Sequence, residues 1–316
     1  MHILQETLDD ALLKLYPELL KLTDVVTATR GDFTELVGVL IEITKPRARL
    51  SRSETRGKLF SSLGELLWYL SRDNKLDFIE RYVPKYRKES EDGTTVYGGY
   101  GPRLFSQGGA DQVSNIIDLL RDSPTTRRAV IQIFDAVDIT DRHKEVPCTT
   151  TLQFFVRKER LNMITTMRSN DAYLGLPHDV FCFTMLQELI ARSVNVELGT
   201  YRHFTGSLHL YRKHHLLAQD FVNERFQTPI EMPPMPPGDP WVAVASVLQA
   251  EANIRTGKPI DATATKLDSY WCDLIRILQI YFAERDEAKI NALSEAMSFR
   301  RFKPYILSRT RNAGRK

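Results

Sequence analysis

Apolar residues recur at helical spacing in three segments of the first half of the chain. Residues 8–22 (LDDALLKLYPELLKL) predict an amphipathic helix. Residues 57–72 (GKLFSSLGELLWYLSR) predict a buried helix, and residues 111–124 (DQVSNIIDLLRDSP) predict a helix that Pro124 ends. Between the first two, residues 34–44 (TELVGVLIEIT) alternate partly and are rich in β-branched residues, which predicts a strand.

The middle of the chain changes to a strand pattern and then returns to helix. Residues 127–137 and 150–168 predict three strands, the last two joined by a turn at KER. Residues 178–194 (HDVFCFTMLQELIARSV) predict a single helix. Because strands and helices alternate in clusters, we expect an α+β or mixed α/β domain.

The composition changes near residue 228. Residues 228–240 (TPIEMPPMPPGDP) contain six prolines, which exclude regular structure. Helical patterns follow in residues 239–255 and 267–297. We therefore expect a catalytic domain over residues 1–225, and a Pro-rich connector and helical C-terminal region, packed on that domain, over residues 226–316. The basic tail RTRNAGRK is expected to be frayed.

Composition limits the classes of function. The chain has 316 residues, a net charge of +3 and three cysteines, so nothing in its overall charge favours nucleic acid or a membrane surface. An odd number of cysteines argues against a disulfide framework and for a reducing compartment. The N-terminus lacks the pattern of a secretory signal, and no apolar run approaches the roughly 18 residues that span a bilayer. We expect a cytoplasmic protein.

One acidic residue stands in an apolar segment, LGLPHDVFCFT at residues 174–184. A carboxylate buried there is costly unless a partner satisfies it, so Asp179 is a candidate for ligand recognition. The alternative is a helix N-cap, in which Asp179 accepts from backbone N–H groups. Cys182, three positions later, does not complete a capping box.

Cys148 is a candidate nucleophile. It follows a proline at the start of a predicted strand, and a cluster of potential cations (Arg142, His143, Lys144) precedes it. Positive charge lowers the pKa of a thiol and so favours the nucleophilic thiolate. The alternative is an inert buried cysteine, which is the favoured interpretation of Cys182 and Cys272 in their apolar helices.

Two polar clusters have the side chains that bind a phosphate. Arg127 and Arg128 are adjacent before a strand, and both can face one ligand only from a loop. Arg168 and Ser169 supply another guanidinium and a hydroxyl in RSNDAYLGLP. The alternative for both clusters is a solvated polar turn, and the residues alone do not decide.

Further candidates lie on other predicted elements. Glu65 stands among Leu, Trp and Tyr on a helix, where desolvation raises the pKa of a carboxyl and suits it to proton transfer, unless it lies at a solvated edge. His209 and Tyr211 share one face if their segment is extended, and together can bind a sugar hydroxyl or simply be satisfied, partly buried aromatics. His209, His214 and His215 lack carboxylate or Cys partners at metal-ligand spacing, so we expect no metal.

The order of these motifs resembles that of the thymidylate synthase family. ELLWYL, VYGGYG, LLRDSPTTRR, PC before QFFV, RSNDAYLGLP and GSLHLY follow one another over roughly residues 30–215. The combination of PC, RSxDxxLGLP and HxY is highly specific. The resemblance implies an α+β fold, in which a mixed sheet carries packed helices, here with a helical C-terminal extension.

The resemblance also implies a catalytic set. Cys148 is implied to be the nucleophile that adds to C6 of a pyrimidine nucleotide, and Glu65 the acid that organises water and proton transfer. Asp179 is implied to contact the base. The one-carbon donor is implied to be 5,10-methylenetetrahydrofolate, a co-substrate.

The implied binding residues complete the site. The phosphate ligands are Arg30, Arg127, Arg128, Arg168 and Ser169. Arg127 and Arg128 are implied to come from the second subunit, which makes the enzyme a homodimer. His209 and Tyr211 are implied to hold the sugar 3′-hydroxyl. The folate contacts are Tyr97, Asp171 and Gly175.

The departures from the family pattern favour one branch of it. Thymidylate synthases have asparagine in GLPFN where this chain has Asp179, and usually histidine where it has Thr149. A carboxyl group that shares one proton with N3 and accepts from N4 matches cytosine, whereas asparagine matches uracil. Asp179 also marks the cytidylate hydroxymethylase branch of the family. The tryptophans near the pterin are absent from YVPKYRKESEDG, and the short apolar C-terminal tail is absent too.

The sequence therefore predicts a cytidylate 5-hydroxymethylase. dCMP is slightly favoured over CMP, because Ser169 matches the deoxynucleotide enzymes. A thymidylate synthase that acts on dUMP is the alternative. A non-catalytic nucleotide- or RNA-binding protein on the same fold is a third possibility, against which the intact set of Cys148, Glu65, Arg168 and Asp171 argues.

Overall fold

A mixed β-sheet forms the centre of the molecule in the computed structural model, which describes residues 1–51, 58–226, 228, 230–284 and 286–306. Its strands are β1 (His2–Gln5), β2 (Phe33–Ile43), β3 (Val130–Gln132), β4 (Thr149–Arg157), β5 (Arg160–Asp171) and β6 (Glu197–Tyr211). Their order across the sheet is β1-β2-β6-β5-β4-β3. β1 and β2 are parallel, as are β5 and β6, and the other neighbours are antiparallel. The expected mixed sheet is confirmed.

The strand predictions are confirmed at β2 and at the β4–β5 hairpin, whose turn residues Lys158 and Glu159 both have positive φ. The strand predicted over 127–137 is much shorter, because residues 136–139 form a 3₁₀ turn. The long strand β6 was missed as a regular element. Its sequence ELGTYRHFTGSLHLY mixes polar and apolar residues on the buried face, so periodicity does not mark it.

Helices flank the sheet and agree largely with the sequence pattern. They are α1 (Leu8–Leu20), α2 (Leu59–Leu70), α3 (Leu76–Ile79), α4 (Tyr86–Glu89), α5 (Tyr100–Phe105), α6 (Gln112–Asp122), α7 (Gly175–Ser193), α8 (His215–Asn223), α9 (Trp241–Arg255), α10 (Ser269–Phe282) and α11 (Glu287–Glu295). The pattern over 267–297 forms two helices, and Asp286 caps the second by accepting from the backbone N–H of Lys289. Among the described residues, no helix is both long and apolar enough to cross a bilayer.

Helix α7 begins three residues earlier than its apolar pattern predicts. The Asp171 carboxylate accepts from the backbone N–H groups of Tyr173 and Leu174 at 2.8 and 3.2 Å, which turns the chain out of β5 and into the helix. Pro177 fits because it lies in the first turn, where its missing N–H costs nothing. Asp179 is therefore inside the helix, and the N-cap interpretation of this residue is wrong.

The C-terminal helices pack against α2 and the residues that follow it. Tyr82 donates a hydrogen bond to Glu251 of α9 at 2.9 Å, and its ring stacks on that of Tyr281. The described part of the Pro-rich segment has neither helix nor strand. It is held by backbone contacts such as Met235 N to the Glu188 carboxylate at 3.0 Å. The basic tail predicted to fray lies outside the described residues.

The two faces of the sheet differ in burial. On one face, Met163, Tyr201 and His203 are fully buried. On the other, Phe204 of the central strand β6 pairs with Leu40 and is 39% exposed. A large apolar side chain exposed in the middle of a sheet indicates that the described residues leave this part of the face uncovered.

Candidate active site

Cys148 and Arg168 are brought together where β4 begins beside β5. The backbone N–H of Arg168 donates to the carbonyl of Cys148 at 2.8 Å, and the Arg168 Nη2 lies 3.7 Å from the Cys148 sulfur. The same guanidinium donates to the carbonyls of Pro147 and Val146 at 3.0 and 3.1 Å, which fixes its position. The sequence predicted both residues, and the sheet register explains why they meet.

The electrostatics of the thiol depend on a balance of burial and charge. Burial raises the pKa of the Cys148 thiol to about 11, and the positive charge of Arg168 opposes this rise. The nearby carboxyl groups of Glu145 and Asp179 raise the pKa further. Loss of negative charge from these carboxyl groups would therefore favour the thiolate form of Cys148, which nucleophilic attack needs.

Asp179 faces this thiol from the second turn of α7. Its Oδ2 accepts a hydrogen bond from Asn170 Nδ2 at 3.1 Å. Burial, and next the nearby carboxyl of Glu65, raises the pKa of Asp179 well above its usual range. Burial therefore favours the neutral form of this carboxyl, which presents one donor and one acceptor.

Glu65 is buried on α2, as the desolvated alternative predicted. Tyr86 Oη donates to its Oε1 at 2.7 Å. Burial raises the pKa of Glu65, although the hydrogen bond from Tyr86 opposes the rise. Tyr86 belongs to the segment that lacks the family's tryptophans, and the sequence carried no signal for its contact with Glu65.

Thr149 is fully buried next to the nucleophile. Its backbone N–H donates to Tyr100 Oη at 3.2 Å, and Tyr100 Oη donates to its Oγ1 at 3.0 Å. The mutual contact holds the start of β4 against α5. Tyr100 is a second site residue that sequence reasoning missed.

The remaining phosphate candidates differ in where they lie. Ser169 Oγ lies 3.4 Å from His209 Nδ1 across the β5–β6 pair. Arg30 is already engaged, because its guanidinium donates to Glu89 at 2.7 Å and to Glu145 at 2.8 Å. It lies at the rim of the Cys148 loop, and a phosphate there must compete with two carboxylates.

Arg127 and Arg128 are not brought to the Cys148 of their own chain. Both are exposed before β3. Ala129 accepts a hydrogen bond from the backbone N–H of Phe154, so the arginine pair lies near the far end of β4. At ~3.3 Å per strand residue, that end is about 20 Å from Cys148.

The sugar and folate candidates surround the same end of the sheet. His209 and Tyr211 lie on β6, which meets the condition under which they share one face, and the His209 ring lies 5.0 Å from those of Phe33 and Tyr211. The Tyr97 ring stacks on His143 at 3.5 Å, in the loop before Cys148.

Gly175 has a packing reason to be glycine. A Cβ at this position would approach Asn170 Oδ1 to 2.7 Å, closer than side chains tolerate. Its predicted contact with folate is not tested by this observation. Asp171, the other folate candidate on this segment, has one carboxylate oxygen engaged at the start of α7.

Comparison with known proteins identifies the family of this chain. Residues 54–235 match the family model described as thymidylate synthase. A deoxyuridylate hydroxymethyltransferase of Pseudomonas phage M6 is 36% identical over 49% of this chain and 45% of its own length. One of Delftia phage PhiW-14 is 27% identical over 78% of this chain and 66% of its own length.

A bifunctional dihydrofolate reductase-thymidylate synthase of Paramecium tetraurelia is 29% identical over 52% of this chain and 37% of its own length. The chain thus spans between about a third and two thirds of the length of these curated relatives. The family match covers more than half of the chain and includes Glu65, Cys148, Arg168 and Asp179. The chain belongs to the thymidylate synthase family.

Proposed function

We propose that this protein is a pyrimidine nucleoside monophosphate 5-hydroxymethylase that uses 5,10-methylenetetrahydrofolate and water. The observation that carries the proposal is that a thiol, a cation and two buried acids lie near one another, as Cys148, Arg168, Glu65 and Asp179. Binding alone does not require a nucleophile, so an idle nucleotide-binding protein explains this group less well. The two phage relatives with hydroxymethyltransferase names support the same reaction class.

The reaction begins when the Cys148 thiolate forms a bond to C6 of the base. Electron density then moves to C5, which attacks the methylene carbon of the folate donor. Loss of the C5 proton and departure of tetrahydrofolate leave an exocyclic methylene. Water adds to this carbon, and breaking the C6–S bond restores the base, so nothing is oxidised or reduced.

Glu65 is the residue proposed to handle the water. It is buried, and burial raises its pKa, which favours a neutral acid that can give up and take back a proton. Tyr86 and Tyr69 hydrogen-bond to the carboxyl group and hold it in place for the proposed exchange with water. A thymidylate synthase would instead deliver hydride to the exocyclic methylene, and the loss of the tryptophans that pack near the pterin favours water.

Cytosine is the proposed base, because Asp179 stands where the synthases have asparagine. A protonated carboxyl donates to N3 and accepts from the N4 amino group. dUMP is the second candidate, favoured by the names of the two phage relatives. dCMP is slightly favoured over CMP on account of Ser169.

Phosphate, sugar and folate are assigned to the remaining residues. Arg168 and Ser169 are proposed to bind the phosphate from within the chain, with Arg30 at the rim. His209 and Tyr211 are proposed to hold the 3′-hydroxyl. Folate is proposed to contact Tyr97, Asp171 and Gly175.

A homodimer is proposed to complete the phosphate site. Arg127 and Arg128 are far from their own Cys148, and the half-exposed sheet face around Phe204 suits a second copy of the chain. The test is subunit complementation between a Cys148→Ala chain and an Arg127→Ala/Arg128→Ala chain, each inactive alone. Mixing them should restore about a quarter of wild-type activity if the arginines act across the interface. Mixtures as inactive as their components contradict contribution in trans.

Product analysis tests the proposed reaction. The protein is incubated with methylenetetrahydrofolate and dCMP, CMP or dUMP, products are analysed by mass, and dihydrofolate is followed by absorbance. A hydroxymethylated nucleotide without dihydrofolate is the expected result. Methylated dUMP with stoichiometric dihydrofolate identifies a thymidylate synthase, and absence of turnover with all three nucleotides favours the idle binder.

A further inference from the structure

A chain of buried polar side chains stands behind Asp179. Asn170, near the end of β5, is 3% exposed, and its Nδ2 donates to Asp179 Oδ2 at 3.1 Å. The same nitrogen lies 3.0 Å from His203 Nε2 and 2.9 Å from the Met167 sulfur, a weak acceptor. His203 Nδ1 lies 2.8 Å from Tyr201 Oη. Sequence reasoning singled out none of these partners.

The orientation of the Asn170 amide in the structure fixes one consistent set of directions for these hydrogen bonds. Burial lowers the pKa of His203 to about 3, so its ring is neutral and has one donor nitrogen and one acceptor nitrogen. Nε2 faces an amide nitrogen that can only donate, so Nε2 accepts and the ring proton lies on Nδ1, directed at Tyr201. A flipped amide would need the other His203 tautomer and a proton on Asp179 Oδ2, so the orientation of the amide and the position of the Asp179 proton are linked.

A neutral carboxyl by itself does not distinguish the two bases. With the proton on one oxygen it donates to N3 of cytosine and accepts from N4. With the proton on the other oxygen it accepts from N3–H of uracil and donates to O4. The position of one proton on Asp179 therefore determines which base the site matches.

We propose that Asn170, oriented by His203 and Tyr201, is a positioning residue that determines base specificity by keeping the Asp179 proton on Oδ1. The amide N–H stabilises Oδ2 as the acceptor oxygen, since an unprotonated oxygen is the stronger acceptor. Asp179 then presents a single donor–acceptor pattern. The inference rests on the proposed role of Asp179 in base recognition and holds for whichever base the protein prefers.

Equilibrium binding of nucleotides tests this inference without requiring turnover. Dissociation constants for dCMP, CMP and dUMP are measured by calorimetry for the wild type, Asn170→Ala and Tyr201→Phe. Discrimination is the dissociation constant for the disfavoured base divided by that for the preferred base. This ratio should fall about tenfold or more from wild type to Asn170→Ala, since matched polar groups can supply up to about 10⁴-fold discrimination. In Tyr201→Phe, the other His203 tautomer becomes available and the amide can flip, so the ratio should fall about threefold.

Thr205→Val is the matched control. Thr205 is fully buried on β6, the strand that carries Tyr201 and His203, and its hydroxyl has no hydrogen-bond partner among the described residues. It should leave the ratio unchanged. If Asn170→Ala does not fold, the ratio of dissociation constants measured for Tyr201→Phe tests the inference by itself. An unchanged ratio in a folded variant, with affinity for both bases reduced equally, overturns the inference and leaves Asn170 a structural residue.

The outcome is separable from that of the proposed reaction. A protein that methylates dUMP refutes the hydroxymethylase proposal, yet its binding ratios still test Asn170. A hydroxymethylase whose ratio is insensitive to both variants keeps the proposed function and refutes this inference. Binding of no nucleotide at all refutes both.

Discussion

The guanidinium of Arg168 lies 3.7 Å from the sulfur of Cys148 and is held there by the carbonyls of Pro147 and Val146. Arg168 is thus positioned as a fixed positive charge beside the nucleophile before any phosphate binds. Its charge opposes the effect of burial, which raises the pKa of the thiol to about 11. At neutral pH the resting protein therefore holds Cys148 as a thiol, and added positive charge nearby would favour the thiolate.

Removing this charge should make Cys148 less reactive. Arg168→Ala should raise the thiol pKa further by about one to three units, the usual effect of an opposite charge at this distance. The measurement is the rate of Cys148 alkylation by iodoacetamide against pH, with the labelled residue identified by mass. Arg160→Ala, on the same strand, is the control. Equal pH midpoints in Arg168→Ala and wild type would show that the charge does not act on the sulfur.

Tyr86 should affect the proton chemistry of Glu65 but not substrate binding. Its hydrogen bond stabilises the ionised carboxylate, so Tyr86→Phe should move the pKa of Glu65 upward. We expect kcat at neutral pH to fall about three- to tenfold and the acidic limb of the kcat profile to shift to higher pH, with nucleotide affinity unchanged.

The control for this prediction is Tyr82→Phe, whose hydroxyl donates to Glu251 instead. It should lower thermal stability and leave the pH profile of kcat in place. A pH profile that shifts equally in both variants would assign the Tyr86 effect to packing rather than to Glu65.

Base preference should change when Asp179 becomes an amide. Asp179→Asn supplies a donor and an acceptor in the sense that matches uracil, so kcat/KM for dUMP relative to dCMP should rise about 100-fold or more. The measurement is competition between the two nucleotides in one reaction, with products separated by mass. An unaltered ratio would remove Asp179 from base recognition.

The same substitution should change how stability depends on pH. Asp179 has a pKa well above its usual range in the folded protein, so its neutral form is favoured by folding. Below pH ~4 the group is neutral in both states, and as pH rises the unfolded chain ionises first, which destabilises the fold.

Asp179→Asn removes this penalty. At neutral pH the variant should therefore be more stable than the wild type and should unfold at a higher temperature. The difference in Tm from wild type should shrink at pH 4.5. A difference that is constant with pH would mean that the carboxyl is ionised in the folded protein.

Several elements and site residues were predictable from local sequence. Helices α1, α2 and α6 have an apolar face or a buried run, α1 and α6 begin at side-chain N-caps, and the β4–β5 hairpin has a clear turn. Cys148 and Arg168 were found because short motifs mark them. β6 was missed because its buried face carries polar as well as apolar side chains. The sequence therefore shows no simple alternation of apolar and polar residues there.

The sequence by itself determined that the chain has a candidate nucleophile, candidate phosphate-binding arginines and an acid where its family has an amide. These are properties of residue types in short motifs. Only the tertiary structure decided that Asp179 is not a helix cap and that Asn170, His203 and Tyr201 stand behind it. It also decided that Tyr86 holds Glu65 and that Arg127 and Arg128 lie far from their own thiol. Such contacts join strands and helices distant in sequence, where burial, rather than local pattern, decides which hydrogen bonds and which protonation state persist.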